Sequence, residues 1–198
     1  MKNIITLSLV LFATACQSQI INIKDNYGTT IANAYYKDID NILDPFEGTW
    51  LYTNGSTTLK IILVKEINHF NSKYYEDVII GGYEYKVGNT TLISNLSDIN
   101  TPFLNSFEKG IGGNGVKNNN GYPPCPDCSV DEKRLLLMFS EFSTNMFGTI
   151  LIKKTLAFGQ EAIKVRIKRG ERVHVVGTPM EPEDFIVPSG EYTLIKVN

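Results

Sequence analysis

Short β-rich segments separated by turn residues fill most of the sequence after Gly48. Residues 163–168 alternate between isoleucine or valine and lysine or arginine, which predicts a strand with one buried and one solvent-facing side. Asn54-Gly55 is the strongest two-residue hairpin signal. The whole pattern predicts an all-β fold: an antiparallel meander of about eight to ten strands, arranged as a barrel or a sandwich.

Two stretches depart from the strand pattern. Tyr35 to Leu43 predicts a short helix that Asp44-Pro45 ends, because the residue before a proline disfavours helical backbone. Residues 97–131 are rich in Gly, Asn and Pro and predict a long loop. We therefore divide the chain into a signal peptide (1–15), a lipid-anchored tether with a short helical lead-in (16–44), and one barrel domain (45–198) that contains the loop 97–131.

The N-terminal residues predict export. Residues 1–3 are basic, residues 4–12 form an apolar run, and small residues precede Cys16. The apolar run is too short for the roughly 20 residues of a membrane-spanning helix, so it predicts a cleaved signal. Cys16 at this position resembles a bacterial lipobox cysteine and is predicted to carry a lipid; the alternative is ordinary cleavage that leaves a free N-terminal thiol. Gln17, rather than Asp, favours the outer membrane, with the protein facing the periplasm.

Charge excludes one class of partner. The chain has 19 Lys and Arg residues against 21 Asp and Glu residues, for a net charge of −2, without blocks of one sign. Binding to nucleic acid requires a basic face, and none is predicted here. The predicted partners are the membrane, through the N-terminal lipid, and either a small apolar ligand or an envelope protein.

The number of cysteines bears on both the N-terminus and the loop 97–131. There are three cysteines, and lipidation of Cys16 leaves Cys125 and Cys128 as a pair. A redox motif needs a helix after the first thiol, and a zinc site needs two more ligands, for which the only histidines, His69 and His174, lie far apart in sequence. We predict a local disulfide that clasps the loop, with redox and metal binding as the alternatives.

Catalytic and nucleotide motifs are weak. Gly110–Gly115 matches the dinucleotide fingerprint G-x-G-x-x-G, but residues 116–124 cannot form the helix that this motif needs, so a flexible loop is predicted. No G-x-S-x-G or H-E-x-x-H motif occurs. No catalytic residue, metal or cofactor is predicted. His174 and the acidic residues Glu181, Glu183 and Asp184 remain candidates for an exported hydrolase-type enzyme at the barrel mouth.

Gly48-Thr49-Trp50 resembles the opening of lipocalin-like barrels. The resemblance implies that Trp50 packs across the closed end of such a barrel. The whole chain also resembles an uncharacterised family of small flavobacterial lipoproteins, which implies location and fold but brings no activity. The shared features are the signal ending at Cys16, the Gly-Thr-Trp opening, the Gly82-Tyr83-x-Tyr85 strand, and Phe185-x-Val187-Pro188 before Tyr192-x-Leu194-x-Lys196.

These observations favour a non-enzymatic envelope lipoprotein that binds a small apolar ligand or another envelope component. An eight-stranded barrel can hold one small ligand or be filled by its own side chains. The sequence leaves that choice open, and an exported enzyme is the alternative.

Overall fold

The computed structural model of the protein describes residues 19–25, 28, 30–170 and 184–197. Cys16, His174, Glu181 and Glu183, which the sequence singled out, lie outside the described residues. Strands and five short 3₁₀ turns make up the secondary structure of the part that is described. No helix in that part is long and apolar enough to cross a membrane.

The described residues contain eleven strands. Buried positions alternate with more exposed ones along β9, β10 and β11. The strands are β1 Ile20–Asn22, β2 Tyr35–Lys37, β3 Gly48–Asn54, β4 Thr57–Phe70, β5 Tyr75–Val87, β6 Thr90–Ser94, β7 Ile111–Lys117, β8 Arg134–Glu141, β9 Met146–Ala157, β10 Gln160–Arg169 and β11 Gly190–Val197. The 3₁₀ turns are Ile23–Asp25, Asp44–Phe46, Leu96–Asn100, Ser106–Glu108 and Phe142–Thr144.

Eight of these strands close into an antiparallel barrel. Their order around the ring is β3–β4–β5–β7–β8–β9–β10–β11, and the last strand returns to the first. Trp50 of β3 lies opposite Lys196 of β11, which joins the two ends of the meander. The predicted all-β, lipocalin-like barrel is confirmed, with β1, β2 and β6 as additional strands outside the ring.

Strand β5 has two partners on one edge. Ile79–Gly81 pair with β7, whereas Glu84–Val87 pair with β6. The change of partner occurs at Gly81 and Gly82, where the sheet is crowded: a Cβ on residue 81 would lie 2.4 Å from the carbonyl oxygen of Ile62. Glycine is required there because only a residue without a side chain permits this approach.

The predicted helical lead-in at Tyr35–Leu43 is wrong. Tyr35–Lys37 form strand β2, which pairs in parallel with β1 and β5, and only the 3₁₀ turn Asp44–Phe46 is helical. Burial of Tyr36 and pairing of the backbone outweigh the local helical preference. The barrel core also begins before residue 45, because Ile23, Tyr36 and Leu43 are all buried in it.

The predicted loop 97–131 is also corrected. It contains two 3₁₀ turns and strand β7, which pairs with both β5 and β8 and so closes the ring. The glycines that predicted flexibility instead permit close packing: a Cβ on Gly112 would lie 2.0 Å from the carbonyl oxygen of Ser106. The fingerprint-like Gly110–Gly115 therefore belongs mainly to a barrel strand, and an irregular segment follows it instead of a helix.

Candidate functional site

The inside of the barrel is occupied by its own side chains. Inward-facing residues of all eight ring strands form one hydrophobic cluster, and most are completely buried. Trp50 is among them, with 0% exposure, and its Nε1 donates a hydrogen bond of 3.0 Å to the carbonyl oxygen of Phe46. The largest fully buried side chains of this cluster include Trp50, Tyr36, Tyr83, Phe46, Phe139 and Leu59.

A concave surface that combines polar and apolar side chains lies outside the barrel, on β8, β9 and β10. On the outer face, Lys153 of β9 lies directly opposite Arg134 of β8 on one side and directly opposite Lys164 of β10 on the other. Two residues along, Leu136 and Leu151 occupy the same face. Residues 118–133, which connect β7 to β8 and which we call the arm, run over these strands. We call the space between the arm and the strands the groove.

The arm is held above the sheet by backbone and side-chain contacts. Nη2 of Arg134 donates hydrogen bonds to the carbonyl oxygens of Asn118 (2.8 Å) and Gly121 (3.1 Å). Cys125 and Cys128 are joined by a disulfide within the arm. The backbone N–H of Cys125 donates to Asn119. The sulfur of Cys128 lies 4.0 Å from Nζ of Lys153, which places the disulfide beside the row of cations.

The groove has two adjoining compartments, with Pro123, Leu151 and Arg166 in the walls of both. The basic compartment has a volume of about 170 Å³ and lies under Pro123–Asp127. The apolar compartment has a volume of about 330 Å³. The side chains that complete the basic compartment include Arg134, Lys153, Lys164 and Glu191, and those of the apolar compartment are Tyr122, Leu136, Thr149 and Lys168.

Cations outnumber carboxylates in the basic compartment. Glu191 is shared, with an oxygen 2.9 Å from Nζ of Lys164 and another 3.9 Å from Nε of Arg166. The hydrogen bond from Lys164 holds the pKa of Glu191 below its ordinary value. Arg134 is only 2% exposed, forms no ion pair with any described residue, and has no hydrogen-bond partner for Nε. Among the described residues, the buried guanidinium therefore has no counter-charge.

Of the other residues that the sequence singled out, the described part of the chain contains Asp184 and His69. Asp184 accepts hydrogen bonds from Ser189 and Phe185, which hold its pKa below the ordinary value although burial acts to raise it. Nε2 of His69 lies 2.9 Å from the carbonyl oxygen of Leu104, and its ring stacks on Phe103. Within the described residues, no group of three or more His, Cys, Asp or Glu side chains is placed to hold a metal.

Arg134 is the functional candidate that sequence reasoning missed. The alternating charges of β10 are visible in the sequence, whereas the strand pattern gives Arg134 no particular role. Its position directly after the cysteine-containing segment was the available signal. Only the register of β8 with β9 shows that it faces Lys153.

The profile of one protein family matches residues 1–197, almost the whole chain, and its description is "Family of unknown function (DUF6705)". The chain belongs to the DUF6705 family. Among curated proteins and among solved structures, none matches the chain. The predicted membership of an uncharacterised family is confirmed. The flavobacterial source and the lipid of this DUF6705 member stay predictions.

Replacing both arm cysteines by serine is expected to leave the barrel folded. The disulfide closes a very short ring, so the chain-entropy model assigns it at most about 2 kcal/mol of stability. Urea unfolding followed by circular dichroism measures the loss, and intact-mass analysis of the wild type should show the two thiols oxidised. Two free thiols, or a bound zinc ion that survives purification, would contradict the Cys125–Cys128 disulfide.

Proposed function

We propose that this DUF6705 protein is a non-enzymatic lipoprotein of the cell envelope that binds a small, largely apolar ligand, either free or as part of an envelope component. The groove is its binding site. One observation supports this proposal above all: the barrel interior is filled by buried side chains, whereas the groove outside the barrel is open to a ligand.

The apolar compartment has the features of a ligand site. Leu136 and Leu151 are only partly buried, although they lie next to each other on the outer face of the sheet. Tyr122 and Pro123 of the arm complete its wall, and the compartment is large enough for a small molecule. The side chain of Tyr122 is 80% exposed, so a ligand on the leucines would cover an aromatic ring that solvent now surrounds.

Export and anchoring rest on the N-terminal sequence. The apolar run, the small residues and Cys16 favour a lipid-anchored protein, and Gln17 favours the outer membrane with the barrel facing the periplasm. The anchor gives the groove access to apolar molecules at the membrane, which supports the ligand class proposed here.

Replacing Cys16 by serine is expected to abolish the lipid anchor. Cells grown with a fatty-acid analogue should label the wild type, and the Cys16→Ser protein should be unlabelled and accumulate as precursor or soluble product. Cell fractionation and fluorescence of the labelled band measure both properties. A Cys16→Ser protein that stays labelled and membrane-bound would show that the lipid is attached elsewhere or not required.

A neutral apolar probe tests the groove itself. N-phenyl-1-naphthylamine is expected to bind the full chain carrying Cys16→Ser, with a rise in fluorescence. Leu151→Glu in that background should weaken its affinity at least about tenfold, because a charged carboxylate then replaces the apolar side chain opposite Leu136. Leu156→Glu is the matched control, since Leu156 lies on the same strand but is 75% exposed at the hairpin tip. Equal probe binding by both variants would refute the groove as the binding site.

A further inference from the structure

We propose that the basic compartment of the groove binds an oxyanion, the phosphate-like or carboxylate head group of the ligand whose apolar part occupies the neighbouring compartment. This inference rests on the proposed function, because it assigns the ligand class of the same groove. The proposed function requires only that the ligand be largely apolar, and this inference adds that the ligand also carries an anionic group.

The first argument is the cost of burying Arg134. A guanidinium loses its hydration on burial, and this loss is normally offset by a carboxylate or by a full set of hydrogen bonds. Arg134 has neither among the described residues: one nitrogen donates to two carbonyl oxygens of the arm, while Nε is buried without a partner. An oxyanion in the compartment that Arg134 lines would supply both the acceptor and the charge.

The second argument is the order of charges across the strands. Arg134 of β8 faces Lys153 of β9, and Lys153 faces Lys164 of β10. Like charges directly opposite each other destabilise a sheet. In this row Arg134 is buried, Lys153 is partly buried and Lys164 is partly exposed, and an anion bound between them would offset their repulsion.

Carboxylates near the compartment neutralise only part of this charge. Glu191 is engaged by Lys164 and Arg166, and Glu132 lies 3.9 Å from Nζ of Lys153, at the edge of ion-pair distance. Asp127 of the arm also lines the compartment. None of these carboxylates forms an ion pair with Arg134, so its charge remains available to a ligand.

The two compartments match an amphiphilic anion in size and arrangement. The basic compartment, of about 170 Å³, has room for an oxyanion of about five non-hydrogen atoms, since a water molecule takes roughly 30 Å³ in the liquid. Arg166 and Leu151 line both compartments, so a head group beside Arg134 continues directly into the apolar space.

A matched pair of probes tests the head group separately from the apolar part. N-phenyl-1-naphthylamine is neutral, and 1-anilinonaphthalene-8-sulfonate has the same ring system with an added sulfonate. The full chain carrying Cys16→Ser is expected to prefer the sulfonate, and Arg134→Met should reduce this preference by roughly 10- to 100-fold, the size of a charge-assisted hydrogen bond. The preference is the ratio of the two probe affinities, so a loss that both probes share, such as one from movement of the arm, does not change it.

Arg134 also holds the arm, so a second variant separates binding from folding. Lys164→Gln removes a partly exposed cation from the row and should reduce the preference for the sulfonate, although less strongly than Arg134→Met. Lys37→Gln, on the exposed face of β2, is the control for overall charge and should change nothing. Circular dichroism confirms that each variant is folded.

Competition identifies the source of the oxyanion. Displacement of the sulfonate probe by inorganic phosphate would indicate a free or soluble anion. Displacement by phosphatidylglycerol vesicles, but not by phosphatidylcholine vesicles or phosphate, would indicate a lipid head group; either result supports the proposal. If neither competes, or if Arg134→Met and Lys164→Gln keep the preference, the oxyanion site is refuted, while Leu151-dependent binding of the neutral probe would leave the proposed function intact.

Discussion

Trp50→Ala is expected to lower the free energy of unfolding by about 3–5 kcal/mol. The indole is fully buried, donates a hydrogen bond to Phe46, and has the ammonium groups of Lys154 and Lys196 4.6 and 5.3 Å from its ring. The substitution leaves a cavity where the first and last ring strands meet. Since a domain has only about 5–15 kcal/mol of stability, the variant should be close to unfolding. Urea denaturation followed by circular dichroism measures this loss.

Phe158→Ala is the matched control for Trp50→Ala. Phe158 is also aromatic but is 94% exposed at the β9–β10 hairpin, so its truncation should change stability by less than about 0.5 kcal/mol. Trp50 is the single tryptophan, so the emission of the wild type reports on this site alone and should be blue-shifted. A wild-type emission typical of exposed tryptophan, with unchanged melting of Trp50→Ala, would contradict its place in the core.

Glu141→Ala is expected to cost about 3–5 kcal/mol of stability. This carboxylate is completely buried and accepts hydrogen bonds from the backbone N–H groups of Ile186 and Val187 and from the hydroxyl of Thr144. It thereby attaches the segment before β11 to the end of β8. Its removal takes this acceptor from the N–H groups of Ile186 and Val187, whereas the Thr144 hydroxyl keeps the backbone carbonyl of residue 141. Chemical denaturation gives the total loss, and amide exchange should accelerate at residues 186 and 187.

Glu84→Ala provides the comparison for Glu141→Ala. Glu84 forms a 2.7 Å ion pair with Lys86 near the surface, and such pairs contribute only about 0–1 kcal/mol. Equal losses for the two variants, or unchanged exchange at residue 186, would show that Glu141 does not hold the segment.

The barrel meander was predictable because its signals are local. The β3–β4 hairpin forms where Asn54-Gly55 predicts it, although its two-residue loop is Gly55-Ser56, with Gly55 at a φ of +58°. The alternation of residues 163–168 became strand β10 with its apolar side in the core. In such cases, the pattern that specifies the strand lies within the strand itself.

Strand β7 and the groove were not predictable in this way. Residues 111–117 contain three glycines and lack an apolar alternation, and they form a strand because β5 and β8 offer backbone partners on both sides. Arg134 and Lys153 become neighbours only through strand register. Whether the barrel is filled could not be predicted either, because inward-facing apolar residues give the same pattern in a packed barrel and in one that holds a ligand.

Closure of the ring through Trp50 and Lys196 has a consequence for folding kinetics. The pairing of β3 with β11 joins the first ring strand to the last, so no shorter portion of the chain can complete the barrel. Contacts this distant in sequence require a long chain to be brought together before they stabilise the fold, which slows folding to milliseconds or longer in barrels of this type. The native barrel can therefore form only after the eight-residue strand β11 pairs with β3.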